Sequence, residues 1–76
     1  MINEIIFDSE IYEKKAIVKA IDEYRRIAQI EIEQNEGYYT CRIIDSFLYD
    51  IELVRAEFGN YVLFLTVRSL NSNGIL

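Results

Sequence analysis

The sequence predicts a small two-layer α+β domain in the order β-α-β-β-α, with an antiparallel hairpin at its centre. Three observations carry that expectation: two β-rich stretches on either side of a short turn, a helical stripe before them, and a second stretch of helical spacing after them. The hairpin is the most informative. In Ala28-Gln29-Ile30-Glu31-Ile32-Glu33 the apolar residues fall on every second position. After Asn35-Glu36-Gly37, the run Tyr38-Tyr39-Thr40-Cys41-Arg42-Ile43-Ile44 continues in residues that suit a pleated surface. Facing Gln34 with Gly37 sets Ile32 opposite Tyr39, Ile30 opposite Cys41 and Ala28 opposite Ile43 on one face. Gln29, Glu31 and Glu33 then share the other face with Arg42, Thr40 and Tyr38. A three-residue turn would put Ile30 and Ile32 opposite Arg42 and Thr40, because a one-residue slip turns every side chain over. The even-length turn is therefore expected.

From the start of the chain, Ile2-Asn3-Glu4-Ile5-Ile6-Phe7 is a short strand, closed by Asp8-Ser9, a pair suited to capping a helix. From Glu10 the period changes. Ile17, Ala20, Ile21 and Tyr24 form a stripe, with Glu13, Lys14, Lys19, Asp22, Glu23 and Arg26 away from it. Glu10 with Lys14 and Asp22 with Arg26 are acid-first pairs four apart, Lys15 with Lys19 opposes them weakly, and Arg25-Arg26 suits the negative end of the helix dipole. After the hairpin, Asp45 to Asp50 is a connection expected to pack Phe47 and Leu48 on the core. Ile51, Val54, Phe58, Tyr61, Val62 and Leu65 then predict a second helix from about Ile51 to Ser69, with Gly59 inside it at a cost of about 1 kcal/mol relative to alanine. The run Tyr61 to Val67 also fits a buried strand, with Gly59 closing a shorter helix; that alternative is the ferredoxin-like order β-α-β-β-α-β. One domain spans 1–70, and 71–76 is expected to be a flexible tail.

Composition narrows the function classes. A chain of 76 residues buries only about 60% of its unfolded surface, so association would add stability. With 51% hydrophobic and 28% charged residues, no proline and three glycines, the chain should fold. Thirteen acidic against eight basic residues give a net charge of −5, which opposes nucleic acid and anionic membrane surfaces. The longest apolar run, Tyr61 to Leu65, is far below the roughly 20 residues of a membrane span. One cysteine makes no internal disulfide and no basic-then-apolar leader is present, which predicts a cytoplasmic protein.

The residues offer little to a catalyst. Without histidine and with one cysteine, no conventional transition-metal site can be drawn, and Glu31 with Glu33 is the solvated face of a strand. Cys41 is placed on the inward face of its strand, which suits a structural thiol and not a nucleophile. Gly37, Gly59 and Gly74 are isolated and frame no phosphate loop. The expectation is a protein with no catalytic residues, no cofactor and no metal. One feature goes further: Leu63, Phe64 and Val67 lie off the core stripe of the last helix and leave it apolar nearly all round. They are the candidate interface.

The order Ile6-Phe7-Asp8-Ser9-Glu10-Ile11-Tyr12, the helix with Ala16-Ile17-Val18-Lys19-Ala20, the strands Ile30-Glu31-Ile32-Glu33 and Tyr38-Tyr39, and Glu57-Phe58-Gly59-Asn60-Tyr61-Val62-Leu63 with Val67-Arg68 together resemble the small HxsD-like proteins of the His-Xaa-Ser peptide-modification systems. That family is associated with radical-SAM maturases of ribosomally made peptides, so the resemblance implies an accessory or peptide-handling role and no catalysis. Two expectations follow. One is a binding module for a peptide or maturation enzyme, using a strand edge and the last helix. The other is a homo-oligomer, a dimer in its simplest form, that covers the same apolar surface with a second copy.

Overall fold

The computed structural model describes residues 3–72. Its elements are β1 (Glu4–Asp8), α1 (Lys14–Glu23), β2 (Ala28–Asn35), β3 (Tyr38–Ser46) and α2 (Ile51–Ser72). The strands form one antiparallel sheet in the order β1-β3-β2, and the core residues of both helices pack with its inward side chains. The last segment is thus a helix and not a fourth strand, and it runs on to Ser72, past the expected end at Ser69. Of the expected tail, residues 73–76 lie outside the described residues, as does Ile2 of the first strand.

The hairpin keeps the expected faces but pairs two residues further along. Asn35 faces Tyr38, Ile32 faces Cys41 and Ile30 faces Ile43, leaving Glu36-Gly37 as a two-residue loop. Gly37 has φ +88, the left-handed sense that glycine adopts at least cost, so it belongs in the turn and not in the first pair. A shift of two leaves each side chain on its own side of the sheet, so Ala28, Ile30, Cys41 and Ile43 are buried as expected.

A bulge then changes the phase. Ile43 opposes Ile30 while Asp45 opposes Gln29, which leaves Ile44 as the extra residue. Beyond it the inward position falls on Ser46 opposite Ala28, and Phe47, whose amide donates to the carbonyl of Ile27 (2.8 Å), turns outward. This corrects the expectation for the connection: Phe47 and Leu48 are 52% and 64% exposed, and Val54 of α2 enters the core instead.

Asp8 makes a turn and does not cap the helix. Its carboxylate accepts from the amide of Glu10 (2.8 Å) and its carbonyl from the amides of Ile11 (3.1 Å) and Tyr12 (2.9 Å). That turn brings Tyr12 edge-on to Phe7, with ring centroids 4.9 Å apart, and delays α1 to Lys14. Glu10 and Lys14 therefore share no helix. Asp22 pairs with Arg25 (3.5 Å) and not Arg26; both groups are well exposed, so the pair adds little stability. Arg25 and Arg26 follow the helix end at Glu23 and so lie outside its last turn.

Ala16, Ile17 and Ala20 from α1 meet Val54, Phe58, Val62 and Leu65 from α2 over Phe7, Ile30, Cys41 and Ile43. Every second residue of the strands faces away from the helices. There Arg42 donates to the Glu4 carboxylate through Nε (3.0 Å) and Nη2 (2.8 Å), and this pairing holds the guanidinium pKa above its ordinary value. Gly59 lies within α2, and a Cβ built on it would meet nothing within 4 Å. Gly59→Ala is accordingly expected to raise stability by about 0.5–1 kcal/mol, read as a higher urea midpoint at unchanged slope. A loss of stability would show that the glycine answers a close contact.

Candidate docking surface

Because α2 is apolar on opposite sides, burying one side leaves the other in solvent. Val54, Phe58, Val62 and Leu65 face the core, while Leu53, Leu63, Phe64, Val67 and Leu70 are each between 44% and 62% exposed. The three residues singled out from the sequence, Leu63, Phe64 and Val67, thus stand together on the outer face of one helix. Leu53 and Leu70 were missed. Leu53 lay inside the expected helix, off its core stripe, and was readable there; Leu70 lies past the expected end at Ser69 and became readable only once the helix was known to run to Ser72.

A ladder of rings links this face to the interior. Phe58 meets Phe7 at 6.3 Å and Tyr24 at 5.4 Å, Tyr24 lies 5.7 Å from Tyr61, and Tyr61 stacks on Phe64 at 6.1 Å with an interplanar angle of 18°. The Tyr61 hydroxyl donates to the Glu23 carboxylate of α1 (2.6 Å), a bond that raises its pKa. Phe64 is therefore held in place on one side and wet on the other. A fixed aromatic ring loses little rotamer freedom when a partner covers it, which suits an anchor.

Two further surfaces could receive a chain. A cleft of about 360 Å³ opens between Tyr24, Ile27, Tyr49, Leu53, Val54 and Glu57, at the N-terminal end of the same helix. β2 is an outer strand of the sheet, and the ladder alternation directs the backbone groups of Ile30, Ile32 and Gln34 away from β3. β1 is the other outer strand, and its ends are covered: the Glu4 carbonyl accepts from Arg55 Nε (2.9 Å) and the Asp8 carbonyl from Ile11 and Tyr12. Among the described residues the free edge is β2.

Cys41 is fully buried, and burial pushes its thiol up to about 12, so the thiolate a nucleophile needs is disfavoured. Among the described residues no group of three His, Cys, Asp or Glu side chains could hold a metal ion, and no helix is long and apolar enough to cross a membrane. No family model, curated protein or solved structure matches this chain.

Proposed function

We propose that the protein is a non-catalytic interaction module that works by docking another polypeptide on the outer face of α2. The observation that carries this reading is the row Leu53, Leu63, Phe64, Val67 and Leu70, exposed on one side of a helix whose other side is core. The resemblance to HxsD-like proteins fits an accessory role in maturing ribosomally made peptides, with the β2 edge available to an extended peptide. The net charge of −5 disfavours nucleic acid as the partner.

Phe64→Glu tests the proposal. Since Phe64 is 54% exposed, the variant should keep the helical and sheet signal of the parent, with little change in thermal midpoint. It should abolish self-association measured by light scattering, or capture of peptides from a displayed library, because a carboxylate buried at an interface is strongly disfavoured. A parent chain that neither associates nor captures peptides through Phe64 would overturn the reading.

A further inference from the structure

We infer that the occupant of the outer face of α2 is a second copy of α2, running antiparallel to the first; this names the partner in the docking reading and rests on it. Leu53, Ala56, Asn60, Leu63, Val67 and Leu70 are spaced by three, four, three, four and three, the heptad pattern of a helix-pairing seam. All six are exposed, and the residues between them on the opposite side, such as Phe58 and Leu65, are already in the core. The outer face thus carries its own periodic contact surface, independent of the one that holds the fold together.

The seam is symmetric under reversal. With the helices antiparallel and centred between Asn60 and Leu63, Leu53 faces Leu70 of the second copy, Ala56 faces its Val67 and Asn60 faces its Leu63. Large thus meets small at Ala56, and the two Asn60 side chains come into neighbouring layers near the centre, where a polar residue fixes register. Charge selects the same direction. Glu52 and Glu57 sit on the two flanks of the first half of the seam. A parallel pair sets Glu52 of one copy beside Glu57 of the other on both flanks, whereas the antiparallel pair separates these carboxylates and seats Glu57 next to Phe64 of the second copy.

The seam is about 27 Å long at 1.5 Å per residue. With half of each helix surface covered, the pair buries about 1,000 Å² in total, the lower end of specific interfaces. Self-association is therefore expected to be reversible on dilution.

The test uses the full chain carrying either Leu53→Cys or Leu70→Cys; Cys41 is buried and stays silent. At tens of micromolar, light scattering of the parent should give twice the 9.0 kDa chain mass. Under mild oxidation a mixture of the two variants should cross-link 53 to 70, neither variant alone should cross-link efficiently, and adding Leu63→Glu to both should remove the product. Predominant self-cross-linking of Leu53→Cys would overturn the antiparallel arrangement. A monomeric mass without cross-linking would overturn self-recognition altogether. In that event, capture of displayed peptides that Phe64→Glu abolishes would leave the docking reading standing, and its absence would remove that reading too.

Discussion

Phe58→Ala is expected to cost about 3–5 kcal/mol, the largest loss available from a single truncation in this fold. Phe58 is fully buried and is the point where the two helices and the sheet meet, with its ring edge-on to Phe7 and to Tyr24. Truncation removes those contacts and leaves a cavity that the surrounding side chains can fill only in part. Small domains have about 5–15 kcal/mol in hand, and for one of this size 1 kcal/mol moves the midpoint by about 4–8 °C. The variant should therefore melt about 12–40 °C lower, as followed by far-ultraviolet circular dichroism. A loss below about 1 kcal/mol would mean that Phe58 is not at the centre of the core.

The second large effect is loss of stability in base. The Cys41 thiol is held protonated by burial, up to about 12 against an ordinary value of 9.0, while in the unfolded chain it ionises normally. Above 9.0 the unfolded state therefore binds fewer protons than the folded one, so unfolding becomes easier by about 1.4 kcal/mol for each pH unit until the folded value is reached. Below 9.0 the effect is absent. Tyr24, raised by burial and by Glu57, and Tyr61, raised by its bond to Glu23, act in the same direction at higher pH. Urea titrations of the parent and Cys41→Ala at pH 9 and 10 isolate the thiol from most of the tyrosine contribution. The parent should lose about 1 kcal/mol more than the variant across that interval. Equal losses would show that the thiol is not buried in the folded chain.

The strand faces and the core side of α2 were legible in the sequence because each follows from a period, and a period survives errors of register. Ala28, Ile30, Cys41 and Ile43 are buried although the expected pairing was two residues off. Phe47 was misplaced because a bulge is one unpaired residue, Ile44, with no periodic trace, and it inverts every later assignment. The start of α1 was misplaced because Asp8 can satisfy a helix end or a tight turn equally well, and only the contact of Tyr12 with Phe7 decides between them. On the candidate surface, Leu63, Phe64 and Val67 were readable as residues left over from a core stripe. Leu53 was readable in the same way and was overlooked, and only Leu70 required the length of the helix.

The position of β3 between β1 and β2 also sets which loops folding has to close. The β2–β3 hairpin closes over two residues and can form on the microsecond scale, whereas β1 can add only by closing a far longer loop onto the far side of β3. The Phe7–Phe58 contact links the first strand to the last helix, so the ring core completes only when both ends of the chain have arrived. With no proline in the sequence, no isomerisation lasting tens of seconds stands in the way. Any slow refolding phase would therefore have to come from the docking of β1 or from association of copies.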